Sequence, residues 1–207
     1  MGEGLFISIE GPDGSGKSTQ IGLMKQYFIE KGFQVIETRE PGGTKISEKV
    51  RGIILDNDNK EMSAVTEALL YAASRAQHVH EVIKPGILSG KIVICDRYVD
   101  SSIVYQGVAR GLGIDSVACI NDFAIQGLMP DLTFLFDIDP ETALNRKINN
   151  GEADRLELED IKFHKKVYNG YRDISKGNNR IKIINASRSV DEIYSDIIKA
   201  IENFLKI

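Results

Sequence analysis

The chain has 207 residues, 42% hydrophobic and 27% charged, a balance that buries a core and keeps a polar surface, which excludes intrinsic disorder and fibrous repeats. Its 26 basic and 30 acidic residues leave a formal charge of −4, so its overall field does not suit coating nucleic acid or an anionic membrane. A local cationic pocket for a small anion stays open, and the length predicts one domain over residues 1–207.

Met1-Gly2-Glu3-Gly4-Leu5-Phe6 lacks the basic and long apolar regions of a secretory signal, and Phe6 stands where myristoylation needs Ser or Thr. No apolar run reaches the ~20 residues of a membrane span. Cys95 and Cys119 lie among apolar neighbours without CxxC or zinc spacing, which predicts buried thiols and a cytoplasmic location.

Short apolar runs at Leu5–Ile9, Phe33–Thr38, Ile92–Cys95, Leu132–Phe136 and Ile181–Ile184 predict buried strands. Helical patterns lie between them. The clearest begins at the N-cap Ser63 and stops at Pro85-Gly86, with an apolar stripe of Val65, Leu69, Ala72, Ala76, Val79 and Ile83. A final helix from Val190 carries Ile193, Ile197, Ile201 and Phe204 on one face. Strands alternating with helices predict an α/β class, a three-layer α/β/α fold on a parallel sheet of about five strands. The polar stretch Asn149–Arg155 reads as a loop.

Ligands of open parallel sheets sit beyond the carboxyl ends of the strands. Three polar clusters fall there: Gly11–Ser18, Arg39-Glu40-Pro41-Gly42-Gly43 and Asp96-Arg97. Gly11-Pro12-Asp13-Gly14-Ser15-Gly16-Lys17-Ser18 completes the phosphate-binding pattern G-x-x-x-x-G-K-[ST], with a strand before it and a helix after it. That context weighs against a chance glycine-rich turn. Its backbone N–H groups and the helix N-terminus would face a polyphosphate, Lys17 would bridge the outer phosphates, and Ser18 would ligate Mg2+. Asp96 could hold the same ion and Arg97 could stabilise a transferring phosphoryl group, though a structural ion pair is the plainer alternative. No Asn-Lys-x-Asp guanine reader is present.

Further motifs carry a resemblance. Glu10–Gln20, Thr38-Arg39-Glu40-Pro41-Gly42-Gly43-Thr44, Leu69–His78 and Asp96–Ser102 continuing to Tyr105-Gln106-Gly107 occur in the order found in thymidylate kinases, P-loop kinases that phosphorylate dTMP. The chain resembles that family almost throughout and more loosely after Asn149. The resemblance implies ATP and Mg2+ as donor and cofactor, dTMP as acceptor, and a homodimer. It places the nucleotide cradle at Gly11, Pro12, Asp13, Gly14, Ser15, Gly16, Lys17, Ser18 and Thr19. Asp13 would accept from the deoxyribose 3′-hydroxyl, while Arg39, Arg97 and nearby Arg51 would hold the acceptor phosphate. Tyr71 would stack on thymine and Arg75 would donate to its O4. Ser102 and Gln106 would reach the base edge, and Tyr105 would crowd the ribose 2′ position. Without the resemblance, Tyr71 reads as a core aromatic and Arg75 as a solvated charge.

Relatives whose P-loop lacks arginine, as here, use arginines of a lid over ATP. The corresponding segment is about 146–157, with Arg146, Lys147 and Arg155, and it lacks the additional arginine usual between them. The expected reaction is direct in-line transfer from ATP to dTMP without a general base, since His78, His80 and His164 read as packed or solvated. Asn185-Ala186-Ser187-Arg188 resembles the family's adenine loop. Two alternatives remain: another pyrimidine nucleotide or deoxynucleoside kinase, and a non-catalytic nucleotide-binding protein.

Overall fold

The computed structural model describes residues 4–148 and 154–206. Five parallel strands, β1 (Leu5–Glu10), β2 (Val35–Arg39), β3 (Ile92–Asp96), β4 (Leu132–Asp137) and β5 (Ile181–Asn185), form one sheet in the order β2-β3-β1-β4-β5. The register sets Ile9 beside Asp96 and Arg39 beside Asp96 on the other flank, bringing the carboxyl ends of β1, β2 and β3 level.

Side chains of β1 alternate between two cores, as period-two geometry demands. Leu5, Ile7 and Ile9 pack with Ile21, Met24 and Phe28 of α1 (Lys17–Glu30) and with Ile193, Ile197 and Ile201 of α9 (Val190–Leu205). Phe6 points to the opposite face, against Val79, Ile83 and Tyr98. Leu135 of β4 also faces that side, with Tyr105 and with Phe163 and Val167 of α8 (Ile161–Ser175). The sheet therefore has helices on both faces, the three-layer arrangement that the sequence predicts.

Strand boundaries depart from the apolar runs in one consistent way. Glu10, Arg39, Asp96, Asp137 and Asn185 each end a strand, one residue beyond the hydrophobic pattern. Pairing with the neighbouring strand continues where the apolar pattern has stopped, whether the last residue is buried, as Glu10 is, or exposed, as Arg39 and Asn185 are, so the polar rim is part of the sheet. At the other end β2 starts at Val35 rather than Phe33, because Gly32 (φ 86°) turns the chain and Phe33 N–H donates to Phe28 C=O.

The predicted helix from Ser63 is interrupted rather than ended near Pro85. The segment α3 (Ala64–His78) passes through a π-helical turn, Val79–Ile83, into α4 (Lys84–Leu88). Pro85 sits in the first turn of α4, where a missing N–H costs little. The expected apolar stripe divides: Val79 and Ile83 are fully buried, while Val65 and Leu69 are about half exposed at 54% and 52%. Phe204 is exposed, and so is Cys119, contrary to expectation; only Cys95 is buried. No described helix is long and apolar enough to cross a membrane.

Candidate active site

The turn after β1 is shaped by glycine. Gly11 has φ 132°, and a Cβ there would come within 2.8 Å of the Phe136 carbonyl oxygen; Gly16, the N-cap of α1, has φ 90°. Side chains are strained in such backbone. Lys17 is 5% exposed, and its Nζ donates to Gly11 C=O (3.1 Å) and Pro12 C=O (2.8 Å), with Asp13 Oδ1 at 3.6 Å. Burial, and next the charge of Arg97, lowers its pKa. Ser15 Oγ is buried without a partner among the described residues. Pro12 and Gly14 are partly buried, and Thr19 is exposed.

Two roomy cavities open on this rim, beside a small one lined by Pro12, Asp13 and Tyr105. The first, about 440 Å3, is lined by Ser18, Arg39 and Asp96. Asp96 Oδ1 is buried without a partner among the described residues, while Arg39 Nη2 donates to both carboxylate oxygens of Glu48 at 3.1 and 3.0 Å. The second, about 360 Å3, is lined by Asp13, Arg51, Tyr71, Arg75, Arg97 and Tyr105, with Ser102 and Gln106 at its wall. Arg39 thus faces the first cavity rather than joining Arg97 and Arg51.

Arg97 takes a left-handed backbone (φ 67°), its N–H donating to Ile9 C=O. Its Nη2 lies 3.1 Å from Asp13 Oδ1, and the guanidinium stands 5.4 Å over the Tyr105 ring. Burial pushes the Tyr105 hydroxyl up to about 12, and that of Tyr71 higher still, so both stay neutral phenols. Arg51 donates to Pro41 C=O (2.9 Å).

Arg75 is 1% exposed, the opposite of a solvated charge. Its Nε donates to Glu40 Oε2 (2.7 Å), Nη1 to Ser102 Oγ (3.0 Å) and Asn121 Oδ1, and Nη2 to Tyr98 C=O (3.1 Å). Four of the five guanidinium donors are thereby used, leaving one on Nη2. Glu40 Oε1 pairs with His78 Nδ1 (2.9 Å), so His78 is a packed residue.

Behind the P-loop, Glu10 is fully buried. It accepts from Tyr98 N–H (2.8 Å), Ser101 Oγ (2.5 Å) and Tyr171 Oη (2.9 Å). Burial first, then the Asp100 charge, pushes its carboxyl up to about 7. Glu67 is also buried, on α3, one turn before Tyr71. The sequence assigns no role to Glu10, Glu67 or Tyr171, though Glu10 opens the first motif. Only the i, i+4 series Glu67, Tyr71, Arg75 carries a signal for one of them.

Of the expected lid, residues 149–153 lie outside the described residues, as does the side chain of Lys147. Arg146, near the end of α7 (Pro140–Ile148), donates to Ala186 C=O (3.2 Å) in the loop expected to receive adenine. Arg155 is 9% exposed and lines neither cavity. It donates to Ile54 C=O (2.9 Å) and to Glu67 Oε2 (2.5 Å).

A family model described as thymidylate kinase matches residues 9–197. A thymidylate kinase of Finegoldia magna is 54% identical over 198 residues, covering 96% of this chain and 98% of its own length. One of Clostridium novyi is 52% identical over 209 residues and the full length of both. The crystal structure of thymidylate kinase from Ehrlichia chaffeensis superposes with a TM-score of 0.80 at 32% identity, covering 96% of this chain and 99% of that one. A matched family model over most of the sequence, near-full-length relatives and the shared fold agree: the chain belongs to the thymidylate kinase family.

Proposed function

We propose that the chain phosphorylates dTMP to dTDP with ATP and Mg2+, by direct in-line transfer within one catalytic domain. The observation that carries the reading is the pairing of a glycine-built anion cradle with an adjoining cavity that holds Tyr71, Arg75 and Gln106 beside Arg97 and Arg51. Pyrimidine recognition and phosphate recognition then meet at one sheet edge.

A phosphate oxygen of dTMP attacks the γ-phosphorus of ATP; a new P–O bond forms as the bond to the β-phosphate oxygen breaks, releasing ADP. A dianionic phosphate is nucleophile enough, so no base and no phosphoenzyme are needed. Backbone N–H groups of Gly14–Ser18 and the Lys17 ammonium hold the donor phosphates. Arg97 spans donor and acceptor, Arg51 supports the acceptor phosphate, and Arg39 approaches from the neighbouring cavity. Asp13 accepts from the 3′-hydroxyl. Tyr71 stacks on the ring, Arg75 and Ser102 address its edge, and Tyr105 closes the 2′ side. Arg146 is the better candidate for the lid arginine, since it stands at Ala186 whereas Arg155 is committed to Glu67. Local charges decide this binding: unit charges ~4 Å apart interact by about 4 kcal/mol near a surface, while the remote net charge is screened over about 8 Å.

Ser18 and Asp96 line one cavity, and Asp96 Oδ1, without a partner among the described residues, suits a hard cation that takes its other ligands from phosphate and water. The ion would supply charge neutralisation at the β- and γ-phosphates. A homodimer belongs to the same reading, supported by exposed Val65 and Leu69 on α3 and exposed Phe123 on α6 (Ile114–Ile125), a helix packed against α3. A light-scattering mass near 23 kDa would refute it. Two free cysteines support a reducing, cytoplasmic location.

The test is an acceptor panel with ATP–Mg2+. We expect dTMP to be preferred, with dUMP poorer by about tenfold because a buried methyl is worth ~1–3 kcal/mol. Preference for dCMP or thymidine would overturn the assignment.

A further inference from the structure

We propose that Glu67 is a positioning residue for base selection: it fixes the side-chain amide of Gln106 so that Oε1 is presented to the substrate cavity as an obligatory hydrogen-bond acceptor. The inference rests on reading that cavity as the pyrimidine site.

Gln106 is 1% exposed and lines the cavity. Its Nε2 donates to Glu67 Oε1 (2.9 Å), while its Oε1 is buried with no partner among the described residues. A buried amide is free to turn over unless a neighbour accepts only one orientation. Glu67 is such a neighbour. Arg110 donates to both its oxygens (Nε 3.2 Å, Nη2 3.1 Å), and Arg155 donates to Oε2. Burial alone would raise the Glu67 pKa; the hydrogen bonds from Arg110, Gln106 and Arg155 outweigh it and hold the pKa below its ordinary value. An ionised carboxylate cannot donate, so Gln106 must turn its NH2 group to Glu67 and its oxygen away.

An unsatisfied buried oxygen at the cavity wall is costly until a donor arrives. Thymine and uracil carry an N–H at ring position 3, between two carbonyls. Cytosine has a lone pair there, so it would set acceptor against acceptor. The discrimination is thus made by an oxygen whose direction is set by a residue that lines no part of the cavity. Arg155 belongs to this device: it ties the end of the expected lid segment to the carboxylate that orients Gln106.

The experiment compares kcat/KM for dTMP and dCMP. Gln at position 67 can donate as well as accept, so Glu67→Gln frees the Gln106 amide to reverse. We expect the dTMP/dCMP ratio to fall about tenfold or more, the size of one lost buried hydrogen bond, chiefly through KM. Gln106→Met alone should produce a comparable collapse, and adding Glu67→Gln to it should change the ratio less than about twofold, as expected when one residue acts through the other. An unchanged ratio in Glu67→Gln overturns the inference. So does a fall that persists undiminished in the Gln106→Met background, which marks a general structural effect. If Glu67→Gln does not fold, Gln106→Met decides: retained discrimination overturns the role of Oε1. Wild-type protein inactive on both nucleotides would defeat the kinase reading itself, a result distinct from all of these.

Discussion

The phosphate side of the rim and the base side are built differently. At the P-loop the proposed recognition groups are backbone N–H donors, set by Gly11 and Gly16 in positive-φ backbone, with a lysine folded among carbonyls. In the proposed base cavity they are side chains held by other buried side chains: Arg75 by Glu40, Ser102 and Asn121, and Gln106 by Glu67. A backbone cradle depends on conformation and tolerates many neighbours. A buried polar network depends on every member being satisfied, because low dielectric magnifies each lost partner. The first should fail in turnover when altered, the second in stability and selectivity.

The strongest challenge to that contrast is Arg75→Met. Removing it leaves Glu40 buried without its main counter-charge, and we expect a loss of about 3–5 kcal/mol, as for other broken buried pairs, read by chemical denaturation. A loss under about 1 kcal/mol would show that the base side is not a rigid network. Next comes Lys17→Ala, expected to cut kcat by about a hundredfold to a thousandfold, the scale of one lost transition-state donor, with little change in the unfolding midpoint. Retained turnover would defeat the phosphate assignment. The smallest effect concerns Glu10, which lies between the two sides. Its pKa is raised by folding from the ordinary 4.5 to about 7. A carboxyl raised in this way gives stability that is whole below the unfolded value and lost as pH climbs through the folded one. Wild type minus Glu10→Gln should therefore lose stability between about pH 4.5 and about pH 7 and level off above. A flat difference across that window would place Glu10 in a wetter setting than its hydrogen bonds imply.

Sequence made the phosphate side legible because its requirements are local. Glycines, lysine and serine at fixed spacing, between a strand and a helix, specify the turn within eight residues. The five strands were legible for the same reason, through short apolar runs. Their polar last residues were not, since Arg39, Asp96 and Asn185 continue strands by pairing with a neighbour rather than by apolar burial. The resemblance supplied Tyr71, Arg75 and Gln106, but nothing in the spacing joins Glu40 to Arg75 across 35 residues or Glu67 to Arg155 across 88. Arg155 reads as a surface lid charge from its polar neighbours; its burial follows from a carboxylate far away in the chain.

One dipeptide unites the two sides. In an ordinary strand Asp96 and Arg97 would point to opposite faces, yet the reversed φ of Arg97 breaks the alternation. Asp96 lines one cavity and Arg97 the other. Successive α-carbons stand about 3.8 Å apart, so one peptide unit at the end of β3 serves both cavities, and the side chains part only beyond it. A substitution that restored an extended backbone at position 97 would therefore disturb both cavities at once.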